Sequence, residues 1–484
     1  MDKNKFFLGL AVVLLVVISL GTKFMGNTDV YDYTDVAKFF AGEYDAKIRT
    51  SHSYLYGFIH YLSIAIFESF WIFKITSLIS LLLIVYSVYY ISGKDKRALW
   101  LMLLSPIIWY MGPWISPIQL ASLIFLWGWY FIKKYDKDNK MRNLLYSGAL
   151  IGLSWAFWDG ILFFIPLLLI SFFYNKRLTH SIYFFIFILI GSLPRIILDQ
   201  ILFGFFFFTP VRHIMASLAL TFLGGFYNQG NLASGLGLIL IIIFIPIYGF
   251  RIFKREVFKE NKKTVIFLIL SFLLLIINSQ VRFVLLIAPI VILVICKHIN
   301  KKQFVKQIAV SLVIILLVIN PYLIQTKYRL DFGDEGFGGE IGAVALRFDE
   351  INFNGSFYEK LIENELVEIS TDYPGEVFVV GNTPDSYRLL ANVYWGDEVK
   401  EFVSIEDYKL GISRKRILVE KEICTKTKIK SRRDICTSWS IGKAFNDDTD
   451  YSSIKYGISF ENSLEIEDFE LVKRYGKLSL FEKS

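Results

Sequence analysis

The sequence predicts a polytopic α-helical membrane protein with a soluble α/β domain at its C-terminal end, on three observations. First, the 484 residues are 54% hydrophobic, 17% aromatic and only 20% charged, with mean hydropathy +0.48. That composition excludes a soluble enzyme, a disordered chain and a disulfide-dense secreted domain. Second, charge is unevenly placed. Residues 326–484 hold 52 of the 96 Asp, Glu, Lys and Arg and are net acidic, while residues 1–325 hold 30 bases against 14 acids. The pI near 9.0 therefore describes a basic membrane body joined to an acidic domain, and no nucleic-acid partner is expected. Third, the basic loops fall on alternate sides of the apolar runs.

Because lipid offers the backbone no hydrogen-bond partner, a spanning helix needs about 20 apolar residues. Candidate spans lie near 6–22, 70–91, 98–112, 118–132, 143–157, 160–174, 181–198, 232–250, 264–278, 283–296 and 307–325, about 11 in all. Lys94 to Arg97, Lys133 to Arg142, Lys176 and Arg177, Arg251 to Lys263, and Lys297 to Lys306, with Lys3 and Lys5, hold 22 of the 30 bases in this part. The positive-inside rule puts them in the cytoplasm, with the N-terminus inside and residues 326–484 outside the membrane. Alternation requires two spans within 143–174. No small-x-small cleavage site follows the first span, so it reads as an uncleaved anchor. The expected location is the plasma membrane, crossed many times.

The domain division is then 1–325 for the membrane body, including an outside loop at 23–69, and 326–484 for the extracytoplasmic domain. In that loop Val30, Tyr33, Val36, Ala37 and Phe40 repeat at helical spacing, with Asp29, Asp32 and Asp35 along one edge. This is an amphipathic juxtamembrane helix. Residues 54–67 are apolar but short for a span, and read as a second juxtamembrane helix. In the C-terminal domain 375–381 reads as a buried strand, 382–394 as a helix and 399–405 as another strand, one α/β unit. Gly333 to Gly339 is Gly-rich and acidic, a linker. Cys424 and Cys436 are candidates for one disulfide closing a short loop, and no His or Cys-x-x-Cys near them suggests zinc.

Ionisable groups at membrane depth are costly, and the outside face concentrates them in Asp29, Asp32, Arg49, His52, Asp159, Arg195, Asp199, Arg212, His213 and Arg282. Each also has a structural reading. Asp29 can cap the surface helix, Asp32 can be its solvated face, and Asp159 can form a turn. His52 can be an ordinary loop residue, and Arg195 and Arg212 can snorkel to headgroups. Arg282, at the start of an apolar run, fits a structural role least well. Together they suit a division of labour. Carboxylates outside the membrane can act as general base toward a hydroxyl or hold a divalent ion. Arginines at the same depth can bind a lipid-borne phosphate and stabilise it as a leaving group. Trp109, Trp114, Trp155 and Trp158 can stack on a sugar ring.

The order of the motifs resembles the C-type glycosyltransferase (GT-C) superfamily, in particular its dolichyl-phosphate-mannose/aminoarabinose transferase-like branch. Thr28-Asp29-Val30-Tyr31-Asp32-Tyr33 after the first span is similar to that family's acidic opening of the first outside loop. His52-Ser53-Tyr54-Leu55-Tyr56 resembles its His-Pro-Pro-Leu-Tyr box, without either proline. Trp158-Asp159-Gly160 resembles its polar break after a short Gly-Leu helix, and Gln280 to Pro289 its Arg-aromatic helix start. The likeness covers about 1–325.

The resemblance implies inverting transfer of a sugar, a hexose such as mannose, from a polyprenyl-phosphate donor to a hydroxyl on a glycan, lipid or protein acceptor. It makes Asp29 the catalytic base and Asp32 its partner, the two being also candidate ligands for a divalent metal, Mg or Mn. Arg282, with Arg195 and Arg212, would bind the donor phosphate, and Arg49, His52, Tyr54, Trp158 and Asp159 would line the substrate site. Loop 112–117 lacks the charged residues many relatives place there, and the C-terminal domain lacks Trp-Trp-Asp, which argues against an oligosaccharyltransferase. Two rivals stand beside this reading: a polysaccharide polymerase or ligase, and a lipid or glycan transporter or flippase. No internal repeat of the transporter kind is present.

Overall fold

The structure, a computed structural model, describes residues 3–21, 33, 36–37, 39–41, 52–67, 71–174, 176–219, 243–277 and 281–319 of the helical body. Beyond these it describes 363–374, 376, 378–380, 402–404, 413–418, 424–426, 434–436, 440–446, 454–459, 466, 468–476 and 478–484. The body runs α1 (Lys3–Gly21), α2 (Leu55–Ala65), α3 (Trp71–Ile91), α4 (Lys96–Leu103), α5 (Pro106–Met111), α6 (Pro117–Asp138) and α7 (Met141–Phe157). A 3-10 turn at Asp159–Phe163 leads to α8 (Phe164–Phe173), α9 (Leu178–Phe203) and α10 (Phe208–Ala219). After a 3-10 segment at Ile247–Phe253 come α11 (Arg255–Glu260) and α12 (Lys262–Ile277). A 3-10 turn at Val281–Phe283 precedes α13 (Val284–Ile295), and α14 (Lys301–Ile319) closes the body.

Most expected spans coincide with these helices, and their departures have local causes. The 98–112 run is two helices, broken where Ser105 precedes Pro106 in extended conformation. The two helices expected within 143–174 are present, separated by Trp158 in extended backbone. Helix α9 continues past 198, where the expected span ends, to Phe203. It continues because Arg195 and Asp199 lie on its buried face and find partners there. Most of the 232–250 span lies outside the described residues. By length and apolarity, α3 and α9 alone among the described helices pass as spans.

The surface is inverted relative to a water-soluble protein. On α9, Ile182, Ile186, Ile190, Leu193, Ile197 and Ile201 are exposed, while Ser192, Arg195 and Asp199 are buried. Contiguous exposed apolar stripes of this kind mark a surface that meets lipid. All five basic loops meet one another at one end of the body. Arg97 donates to the Ile299 carbonyl at 3.2 Å and Lys133 to Asn261 at 3.2 Å. Lys263 pairs with Asp136, Lys176 donates to Asn139 at 2.6 Å, and Arg251 donates to the His298 carbonyl.

Among the described helices, α7 and α9 pack together most extensively. Gly148 and Gly152 on α7 meet the Phe184–Ile188 backbone of α9, and Gly191 on α9 meets that of Ala149 on α7, a small-residue seam that lets backbones touch. A Cβ at Gly152 would stand 1.9 Å from the Ile188 carbonyl oxygen, and one at Gly191 1.9 Å from that of Ala149. The hydroxyls of Ser147 and Ser154 donate to Gly128 and Ala121 carbonyls at 2.8 and 2.7 Å, tying α7 to α6.

In the C-terminal part, α15 (Glu363–Asp372) precedes β1 (Phe378–Val380), β2 (Phe402–Ser404), β3 (Ser413–Leu418), β4 (Cys424–Lys426) and β5 (Asp434–Cys436). Then follow β6 (Ser440–Asn446), β7 (Tyr456–Ser459), β8 (Phe469–Tyr475) and β9 (Leu478–Lys483). A five-stranded sheet has the order β2-β1-β7-β9-β8, with β1 parallel to β2 and β7. Strands β1 and β2 occupy the two expected strand regions, and the intervening 382–394 lies outside the described residues, as do Gly333 to Gly339. Asp372 at the end of α15 accepts from Lys473 at 3.0 Å and Tyr475 at 2.5 Å on β8. Cys424 is the register partner of Cys436 in the β4–β5 hairpin.

Replacing Gly152 by Ala forces α7 and α9 apart and is expected to cost about 1–3 kcal/mol. Gly9→Ala, where a Cβ meets nothing within 4 Å, is the matched control with no loss. Thermal unfolding of both variants in detergent checks this.

Candidate active site

The glycine seam sets the position of the candidate site. One turn beyond Gly191, Arg195 points back toward the end of α7, where Trp158 leaves the helix in extended conformation and Asp159 starts the 3-10 turn. Arg195 grips both Asp159 oxygens, Nη1 on Oδ1 and Nη2 on Oδ2, the second at 3.0 Å. Its Nη1 also donates to the Trp155 carbonyl at 3.3 Å and its Nε to Thr209 Oγ1 at 3.0 Å. Trp155 Nε1 donates to Asp159 at 3.3 Å. One turn further along α9, Asp199 accepts from the Thr209 amide at 3.0 Å and its hydroxyl at 2.8 Å, fixing the start of α10. Arg195 is 1% exposed and Asp159 3%.

Charges so buried persist only when paired and hydrogen-bonded, and Arg195 meets that condition with its fork and Nε engaged. Burial alone would push the Asp159 carboxyl up. Arg195, His213 and His52 more than offset it, holding the group below the ordinary carboxylate value.

Toward the surface, His213 on α10 brings Nδ1 to 3.7 Å from Asp159 Oδ2, with its side chain 22% exposed. The His52 ring lies 6.0 Å from that of His213, and Tyr33 5.6 Å from His52. Ser53 Oγ donates to the Ala156 carbonyl at 2.5 Å, which pins the segment before α2 to the end of α7. Tyr54 is fully buried against Phe203 and Phe40. Trp158 packs on Phe283 at 5.0 Å, beside Arg282 in its 3-10 turn. Arg212 lies over the Phe208 ring at 5.9 Å.

Thus His52, Tyr54, Trp158, Asp159 and Arg195 come together, with Arg212 and Arg282 on elements that join them. Asp29, Asp32 and Arg49 lie outside the described residues, so the metal expected on the two acids is not addressed by this geometry. Among the described residues no group of three His, Cys, Asp or Glu could hold a metal ion. Of the amphipathic helix expected over Val30 to Phe40, Tyr33, Val36 and Ala37 are helical and buried.

Sequence reasoning gave no role to Thr209 or Lys74. Lys74 is buried near the start of α3, and its signal was a lone cation in the 70–91 apolar run. His60 bonds the Tyr56 carbonyl on its own helix at 2.6 Å through Nδ1 and ties α2 to Thr76 of α3 at 2.9 Å through Nε2. Burial lowers its pKa to about 4, so this imidazole is neutral and structural.

A model of the EpsG family matches residues 6–334. Two solved structures share the fold: ArnT from Cupriavidus metallidurans bound to undecaprenyl phosphate, and the same protein in the apo state. The first has TM-score 0.55 at 12% identity and the second 0.53 at 13%. Each covers 99% of this chain and 97% of that chain. No curated protein matches. The fold likeness agrees with the GT-C resemblance read from the motifs.

Asp159→Asn and Arg195→Met are each expected to cost about 3–5 kcal/mol, since each leaves a buried partner uncompensated. The double variant should cost less than the sum, as thermal unfolding of the three proteins will report. The pair's contribution is present above pH 3.8, the unfolded value, and is lost as pH falls through the lower folded value. Asp159→Asn should lack that acid limb.

Proposed function

This chain belongs to the EpsG family, and on that premise we propose that it is a multi-pass membrane glycosyltransferase of the C type. It moves a sugar from a polyprenyl-phosphate donor to a hydroxyl acceptor at the membrane face opposite the basic loops. The observation that carries this reading is the fold, shared along nearly the whole chain with ArnT, which was crystallised with undecaprenyl phosphate. The buried acid–arginine cluster at the end of α7 and α9 supports it. The topology proposed with it has about 11 spans, with the N-terminus cytoplasmic and residues 326–484 outside.

In this mechanism Asp29 takes the proton of the acceptor hydroxyl, whose oxygen attacks the anomeric carbon in line. The bond from that carbon to the phosphate oxygen breaks, inverting the centre, and the electron pair stays on the departing polyprenyl phosphate. Arg282 and Arg212 neutralise it. Asp32 orients the acceptor or, with Asp29, a divalent metal. Arg49, His52, Tyr54 and Trp158 shape the sugar site. A hexose such as mannose is the first sugar to test.

The test uses purified protein, labelled polyprenyl-phosphate sugars and glycan, lipid and protein acceptors. Asp29→Asn should lower turnover by about 100-fold or more. Unchanged turnover would remove Asp29 from the role of base. A second reading is a polysaccharide polymerase or ligase, favoured by membership of a polymerase-like family. Turnover of a polyprenyl-diphosphate glycan in place of the monophosphate donor would select it. Lipid reorientation without any transfer would favour a transporter.

In the C-terminal domain, we propose that Cys424 and Cys436 form a disulfide. Opposed residues of an antiparallel pair lie about 4.5–5.5 Å apart at Cα, within the span a disulfide bridges. Of the 3 cysteines, Cys296 alone should label with a maleimide in denaturant without reductant. Labelling of all of them would refute the bridge.

A further inference from the structure

We propose that a groove between α3, α6 and α7 holds one acyl chain of an anionic phospholipid from the leaflet on the side of the basic loops, with Lys134 as its headgroup contact. The groove, about 460 Å³, is lined by Leu83 and Tyr86 of α3, Leu123, Trp127 and Phe131 of α6, and Leu150 of α7. The Ser87 hydroxyl accepts the Trp127 indole N–H at 3.0 Å, so the indole is anchored to α3 with its polar atom satisfied inside an apolar wall. Tyr90 and Tyr130 pack on Trp127 with ring centroids 6.0 and 5.5 Å away, and Tyr146 packs on Phe131 at 5.3 Å. Tyr86, Tyr90 and Tyr146 are exposed, and aromatic side chains of this kind gather where hydrocarbon meets headgroups.

Length and charge identify the occupant. From Leu123 to Phe131 the groove follows about 12 Å of helix, close to the depth of one leaflet, about 15 Å. Lys134 lies one turn beyond Phe131, toward the basic loops. Its Nζ stands 4.6 Å from the Tyr130 ring and 5.7 Å from the Phe131 ring, contacts that hold the ammonium at the end of the groove. Among the described residues no acid pairs with Lys134. Asp136 is taken by Lys263 and Lys176, and Asp138 by Asn143 and the Lys140 amide. An apolar groove of leaflet depth that ends at a cation complements a lipid with net negative charge. A choline lipid, whose phosphate already carries its own cation, complements it less well. A polyprenyl phosphate shares the anionic head and apolar tail. Its undecaprenyl tail is far longer than this groove, however, and its phosphate is proposed above to lie at the opposite end of the body.

The test measures binding of phosphatidylglycerol and of phosphatidylcholine with the same acyl chains to the full chain in detergent, by native mass spectrometry. The proteins are wild type, Lys134→Gln, Lys134→Arg, Leu83→Trp and Ile79→Trp. Leu83 lines the groove and is 44% exposed, while Ile79, one turn away on α3 and 50% exposed, does not line it. Wild type should prefer phosphatidylglycerol by about fivefold, the worth of one lysine beside an anionic lipid. Glutamine should abolish the preference and arginine should keep it. An indole at 83 fills the groove and should weaken both lipids by about tenfold, whereas Ile79→Trp should bind as wild type does. Absence of the preference in wild type, or its survival in Lys134→Gln, overturns the inference. So does unchanged binding by Leu83→Trp, which would take the acyl chain out of the groove. Displacement of phosphatidylglycerol by equimolar undecaprenyl phosphate would overturn the choice of lipid. Sugar transfer at the opposite end is assayed separately, so any of these failures leaves the proposed function standing.

Discussion

The end of the body away from the basic loops depends on one buried ion pair. Asp159 and Arg195 sit at 3% and 1% exposure, where an ion without its counter-ion would cost several kcal/mol. The pair can exist because α7 and α9 touch through glycines, which brings a turn residue after one helix within reach of a guanidinium on the other. Everything nearby is then placed by that contact. Thr209 is recruited by Asp199 and Arg195 together, α10 starts at Thr209, and His213 follows one turn later on α10. The Ser53 hydroxyl on the Ala156 carbonyl draws in the segment before α2 from the other side.

The same logic explains the inverted surface. An apolar face on α9 outside and Arg195 with Asp199 inside cannot be stable in water, where the exposed isoleucines would associate. In a hydrocarbon the preference reverses, and the polar residues must satisfy one another in the interior. The basic loops answer a separate demand. They cross-link at the far end with lysine and arginine side chains that reach backbone carbonyls as well as acids, so that end is held by many weak ties where the opposite end is held by one strong pair.

Much of this was legible in the sequence. Apolar runs marked α1, α3, α6, α7 and α12 to α14, and the alternation of bases required the break at Trp158 to divide two helices. The outside inventory of ionisable residues already contained the members of the site. Their pairing was not legible, because Asp159 and Arg195 are 36 positions apart and nothing in composition tells an arginine that grips an acid from one that meets a phosphate. Hydropathy also ended α9 early, since a window reads Arg195 and Asp199 as polar without knowing which face carries them. Gly148, Gly152 and Gly191 are plain in the sequence, but the backbone each meets on the other helix emerges only from the packing.

Helix α9 has 26 residues and is therefore about 39 Å long, against a hydrocarbon layer of about 30 Å. The excess must be absorbed by tilt or by projection, and Arg195 and Asp199 occupy the final turns. Projection at that end would lift them to headgroup depth, where the phosphate of the proposed donor lies, and a thicker membrane would then draw the cluster below that plane.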